Sequence, residues 1–96
     1  MKNVRETTVE SFLYDRVQEY GGLCIKLNAL WYVGIPDRML LLPHGRVFFV
    51  ETKTKGGTVS DMQQWWHTKL RVLGFRVAVL WTVEQAGFFL SRYAQT

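Results

Sequence analysis

Asp37, Glu51 and Lys53 are the residues of this sequence whose types and spacing could do metal or acid–base chemistry together. Asp37 follows Ile35-Pro36, and Glu51-Thr52-Lys53 closes the apolar run Val47-Phe48-Phe49-Val50. Side chains alternate across a strand, so on a strand Glu51 and Lys53 share a face and Thr52 points the other way. Converging carboxylates repel, which raises one pKa unless a cation intervenes. Hard oxygen donors with one or two carboxylates suit Mg²⁺ or Mn²⁺. The Thr52 backbone carbonyl is a candidate third ligand, with waters and a substrate phosphate completing an octahedron. Lys53 would then stand near an acidified water, able to orient it or to stabilise charge developing on phosphate. Taken alone, a Glu and a Lys near a strand end are common surface residues, and an Asp after Pro can merely start a turn. Paired charges at the end of a strand this apolar need a reason.

The flanking patterns supply elements to position these groups. Val9, Phe12, Leu13, Val17 and Tyr20 recur at helical spacing, with Thr7 or Thr8 as N-cap and Gly21-Gly22 as stop. Leu23, Ile25 and Leu27 alternate with Cys24 and Lys26, the period of a half-buried strand. Arg38 to Leu42, the turn Pro43-His44-Gly45-Arg46 and Val47 to Thr52 predict a hairpin whose open end brings Asp37 next to Glu51. The second hairpin strand is apolar enough to be covered on both faces. Ser60 and Gln63 form a capping-box signature for a helix to about Leu73, stopped by Gly74. Phe75 to Trp81 predicts another strand. Thr82 caps a short final helix to about Arg92, and Tyr93 to Thr96 are expected to fray. The order α-β-β-β-α-β-α contains one right-handed crossover, which makes the sheet mixed.

Composition narrows the function classes. Ninety-six residues, 48% of them apolar, build a single domain, residues 1–96. A net charge of +4 favours polyanionic partners. The lone Cys24, read as a small buried strand residue, excludes an intrachain disulfide, a cysteine zinc cluster and a metal-thiolate or dithiol redox role. Nothing resembling an apolar leader follows Met1-Lys2-Asn3, and the uncharged run Leu27 to Pro36 is too short to span a membrane. The chain is therefore expected to be soluble, unexported and cytoplasmic. His44 and His67 have no partner at metal-ligand spacing. At least one of Trp65 and Trp66 should be core, and the other suits a contact with a partner subunit. Trp31 and Tyr32 suit a flap, a base-stacking platform or a dimer contact.

Gly34-Ile35-Pro36-Asp37-Arg38, the apolar hairpin, Phe49-Val50-Glu51-Thr52-Lys53, Ser60 to Gln63 and Gly74-Phe75-Arg76-Val77 together resemble the VRR-NUC domains of the PD-(D/E)xK nuclease superfamily. The resemblance covers roughly Thr8 to Trp81 and is closest to the short stand-alone form of phages and bacteria. It implies an α/β, restriction-endonuclease-like core, with Asp37 and Glu51 as metal carboxylates and Lys53 as the motif lysine. It also implies that Glu10 is the family's helical glutamate, reaching the metal through water, and that Gln63 is its motif glutamine. Thr52 stands where the family often has an apolar residue. From the residues alone, Glu10 equally faces solvent, Glu19 is its rival, and Gln63 equally just closes a capping box. The principal expectation is a Mg²⁺- or Mn²⁺-dependent DNA endonuclease, with Arg38, Lys55, Lys69 and Arg71 as phosphate contacts. The resemblance further implies branched DNA such as four-way junctions, a place in DNA repair and a homodimer. The competing reading is a non-catalytic DNA-binding module that retains the fold.

Overall fold

Each helix starts at a hydroxyl residue that satisfies otherwise unpaired backbone N–H groups. Thr8 accepts from the Ser11 N–H, Ser60 from Gln63 and Thr82 from Gln85, and all three caps are reciprocal boxes. The computed structural model describes residues 7–28 and 30–95. Residues 1–6, where an apolar leader was sought, and Thr96 lie outside them. The order is α1 (Val9–Glu19), β1 (Leu23–Lys26), β2 (Arg38–Leu42), β3 (Arg46–Thr52), α2 (Asp61–Val72), β4 (Arg76–Leu80) and α3 (Val83–Tyr93). Among the described residues no helix is long and apolar enough to cross a membrane.

The four strands lie in sequence order. β1 and β2 pair antiparallel, as do β2 and β3, while β4 runs parallel to β3 after the α2 crossover. His44 and Gly45 take positive φ, of 69° and 71°, which reverses the chain tightly between β2 and β3. The register sets Arg38 opposite Val50 and Glu51 opposite Val79. The hairpin therefore opens where Asp37 and Glu51 stand, as its two-period pattern predicts.

Alternation along β3 divides the core in two. Phe48 and Val50 join Leu40, Leu42 and Leu80 beneath α1 and α3, with Leu13, Val17 and Leu90 fully buried among them. Phe49 turns to the other face, where it meets Val77 and Leu70 of α2. Leu23 departs from expectation. It is exposed because β1 is an edge strand, and Cys24 is only half-buried.

The C-terminus departs further. α3 has 11 residues, as many as α1, and it does not fray after Arg92. Arg46 donates to the carbonyls of Tyr93 (2.7 Å), Ala94 (2.9 Å) and Gln95 (2.9 Å), groups that a helix end leaves unpaired. Ala94 is buried, and the Arg76 guanidinium lies 4.0 Å from the Tyr93 ring centroid. A cap delivered from the hairpin, 47 residues away, leaves no local signal.

Candidate active site

The end of β3 and the first turn of α2 build one polar cluster. Glu51 and Lys53 follow Phe49 onto the α2 side of the sheet, and the Lys53 N–H extends the ladder by donating to the Leu80 carbonyl at 2.9 Å. Gln63 reaches down from α2. Its amide donates to Glu51 Oε2 at 3.0 Å, and its Oε1 accepts from Lys53 Nζ at 2.9 Å. Lys53 Nζ itself stands 3.7 Å from Glu51 Oε2. The same Gln63 Oε1 accepts from the Ser60 N–H, so one side chain both caps the helix and joins the site. The two readings of Gln63 are therefore compatible.

Asp37, just before β2, turns its carboxylate onto the end of β3. Its Oδ1 accepts from the Thr52 N–H at 2.9 Å and its Oδ2 from the Thr52 hydroxyl. A strand residue sends its N–H and C=O from the same edge, so the Thr52 carbonyl also leaves β3 on the Asp37 side. Thr52 thus has a use that an apolar residue lacks: its hydroxyl orients Asp37.

Arg38 corrects a sequence expectation. It is buried, 3.4 Å from Asp37 Oδ2 and 3.5 Å from Glu10 Oε2, and it donates to the Asp37 carbonyl. It is an internal link between two acids and not an open phosphate contact. Strand alternation carried the signal, since Arg38, Leu40 and Leu42 share the face beneath α1. Glu10 is half-exposed at the rim, and a cavity of about 290 Å³ brings it together with Lys53, Lys55, Thr8 and Thr82. Glu19, its rival, pairs with Arg16 at the far end of α1. Lys69 and Arg71 are exposed in the last turn of α2, away from Gln63, and Arg71 donates to the Val77 carbonyl.

Burial, and then the charge of Asp37, push the Glu51 carboxyl up to about 7, against the opposing pull of Lys53. Glu51 Oε1 is buried without a hydrogen-bond partner. A buried carboxylate oxygen with no donor, on a group whose pKa the charge of Asp37 raises, is the observation by which a divalent cation fits. Among the described residues no three His, Cys, Asp or Glu side chains converge. The protein can offer two carboxylates and the Thr52 carbonyl, a hard-oxygen set that suits Mg²⁺ or Mn²⁺ completed by water and phosphate.

Two neighbours of the cluster escaped sequence reasoning. His67, one turn beyond Gln63, is fully buried with Nε2 unpaired. Burial, with the charges of Arg71 and Lys53, pushes its pKa below the ordinary value. The connection before Asp37 is tied to α2, because Trp66 Nε1 donates to the Val33 carbonyl at 2.9 Å. At Gly34, φ is +90° and an added Cβ would stand 2.8 Å from the Met62 backbone. Trp66 is the half-buried member of the tryptophan pair and Trp65 the exposed one.

Comparison with known proteins agrees with this architecture. A family model described as "VRR-NUC domain" matches residues 8–84. A solved structure described as "VRR_NUC domain" superposes with a TM-score of 0.81 at 29% identity, covering 88% of this chain and 92% of the other. A protein of Acyrthosiphon pisum secondary endosymbiont phage 1, described as "Putative nuclease p44", is 36% identical over 80 residues, which are 83% of this chain and 86% of that protein. The matched segment carries Glu10, Asp37, Glu51, Lys53 and Gln63 on one continuous α-β-β-β-α-β scaffold, and the chain belongs to the VRR-NUC family.

Proposed function

We propose that this protein is a Mg²⁺- or Mn²⁺-dependent endonuclease that hydrolyses phosphodiester bonds of DNA. The observation that carries the reading is the Glu51–Gln63–Lys53 cluster beside Asp37, with Glu51 Oε1 buried and unpaired. Asp37, Glu51 and the Thr52 carbonyl would hold the cation, with Glu10 reaching it through water. When bound, such an ion offsets charge on a non-bridging phosphate oxygen and acidifies a water. Gln63 fixes the Lys53 ammonium by one hydrogen bond and Glu51 by another, so the cation of Lys53 is held ready for charge that develops on phosphorus. Thr52 holds Asp37 through two hydrogen bonds, and Arg38 pairs at 3.4 Å with the same Oδ2 that accepts from the Thr52 hydroxyl. Lys55, on the cavity that Lys53 lines, is the nearest open phosphate contact, while Lys69 and Arg71 are farther along α2.

Branched DNA is the proposed substrate and a homodimer the proposed assembly, acting in a host cytoplasm as the phage relative suggests. A physical argument supports the dimer. Leu30, Trp31, Tyr32, Val33, Met62 and Trp65 are all exposed on one connection and the α2 turn beneath it, with Trp31 at 83%. Trp31, Tyr32 and Trp65 carry about 150–250 Å² each when fully exposed, so with Leu30, Val33 and Met62 beside them they make an exposed apolar surface of the kind that marks an interface. A second copy is the occupant proposed for it.

The test is cleavage of linear, flapped and four-way DNA with Mg²⁺, comparing wild type with Glu51→Gln and Lys53→Ala. Cutting by the wild type that both variants lose, with binding retained, supports the reading. Binding without cutting by the wild type favours the non-catalytic module. Calorimetric Mn²⁺ titration adds a second readout, because Asp37→Asn should abolish the heat. Light scattering of the wild type and of Trp31→Ala addresses the dimer.

A further inference from the structure

At the end of the sheet opposite the carboxylates, three arginines gather in one groove. Arg46, Val47, Phe48, Arg71, Gly74, Phe75, Arg76 and Val77 line a cavity of about 460 Å³, and no acidic residue is among them. Like charges collected without a counter-charge call for an anion. The three guanidiniums differ in what they have left to give. Arg46 is taken up by the Pro43, Tyr93, Ala94 and Gln95 carbonyls. Arg71 makes one hydrogen bond, to the Val77 carbonyl, and Arg76 stacks on the Tyr93 ring with no hydrogen bond found among the described residues. Stacking and a single anchor restrict the two side chains while leaving most of their N–H donors open. A guanidinium held in this way loses little freedom on meeting a phosphate.

We infer that Arg71 and Arg76 form a second phosphate-binding site, which grips the backbone of a duplex arm leading away from the cleavage point. This rests on the nuclease reading and extends it to the substrate's length. Arg76 pairs in register with Phe48, three residues before Glu51, and Arg71 lies eight residues along α2 from Gln63. At about 3.3 Å per strand residue and 1.5 Å per helical residue, both positions are displaced by about 10–12 Å along the molecule from the cluster, Arg71 on the cluster's face of the sheet and Arg76, beside Phe48 and Tyr93, on the α3 face. With phosphates about 3.4 Å apart along one strand, that spans roughly three phosphates of a duplex. The groove reads no sequence, since guanidinium–phosphate contacts only position the nucleic acid.

The experiment measures binding in a chelating buffer, so that cleavage does not interfere. Fluorescence anisotropy follows a labelled duplex of about 20 base pairs across roughly 50 to 200 mM salt for wild type, Arg71→Gln/Arg76→Gln and a Lys26→Gln control on β1. Each lost phosphate contact lowers the slope of log affinity against log salt by about 0.9, so the double variant should lose about 1.8. Over that four-fold salt range the difference amounts to about twelve-fold in affinity. Lys26→Gln should leave the slope unchanged. Arg71→Gln alone, which leaves the Arg76–Tyr93 stack intact, should lose half the effect. Should the double variant keep the wild-type slope, or Lys26→Gln lose as much, the groove is not a phosphate site, although the nuclease reading stands. Should the wild type bind no duplex in chelator, the groove does not grip DNA by itself and this inference fails, while cleavage of linear, flapped and four-way DNA with Mg²⁺ decides the nuclease reading separately.

Discussion

The two faces of the sheet serve different ends. Beneath α1 and α3 lies an apolar layer built around Leu13, Leu40, Val50, Phe89 and Leu90, interrupted at its rim by Arg38 between its two acids. Beneath α2 the apolar part shrinks to Phe49, Leu70 and Val77, and the remaining space holds Glu51, Lys53, Gln63 and His67. One face stabilises the chain. The other places a carboxylate and an imidazole out of water with an atom unpaired on each, at a cost in stability that the first face offsets. The difference teaches where the molecule can be altered without harm: packing changes on the α2 face near the cluster act on chemistry before they act on folding.

The largest expected effect tests that separation directly. Asp37→Asn and Lys53→Ala should each lower the cleavage rate by about 10²-fold or more while the midpoint of thermal unfolding moves little. Gel assays and circular dichroism on the same preparations check this. Loss of fold in both variants would erase the distinction between the faces. Next come the core substitutions. Leu40→Ala on the α1/α3 face should cost about 3–5 kcal/mol, and Leu70→Ala on the smaller face about 2–3 kcal/mol, by urea denaturation. Equal losses would mean that both faces carry the fold alike.

Glu51→Gln should act in the opposite direction. The carboxyl is held protonated up to about 7, so the folded state keeps its proton longer than the unfolded chain does. The stabilising contribution is full below the unfolded value of 4.5 and is lost as pH rises through 7. With a chelator at pH 8, the Gln variant should therefore be more stable than wild type by about 1–3 kcal/mol, and the gap should close near pH 4. A wild type as stable as the variant at pH 8 would show that Glu51 is not strained there. The smallest effect concerns His67. Its pKa is lowered on folding, so its contribution is present above the unfolded value and declines as pH falls below it. His67→Gln should flatten the loss of stability as pH falls below about 6.5, measured by thermal melts. An unchanged slope would remove His67 from the strained set.

Much of this was legible along the chain. The three caps at Thr8, Ser60 and Thr82 and the alternation through Val47 to Thr52 are local signals, and local signals survive translation into backbone. So did the placing of Asp37 and Glu51 at the open end of the hairpin, because the tight turn admits one register, Arg38 opposite Val50. Arg38 was misjudged because a basic residue beside an acidic motif looks like a phosphate contact until the helix above it contributes Glu10. Tyr93 and Ala94 were expected to fray because the Arg46 cap is supplied from another element.

Read alone, the chain determined its element order, its mixed sheet and the residue types of its polar cluster, all of which follow from periodicity, capping and short-range turns. Only the tertiary structure decided which charges are buried. It set Arg38 between two acids, left one Glu51 oxygen without a donor and collected Arg46, Arg71 and Arg76 in one groove. The physical reason is that burial and Coulomb interaction depend on distance through space, and residues far apart along the chain acquire that distance only when the layers close.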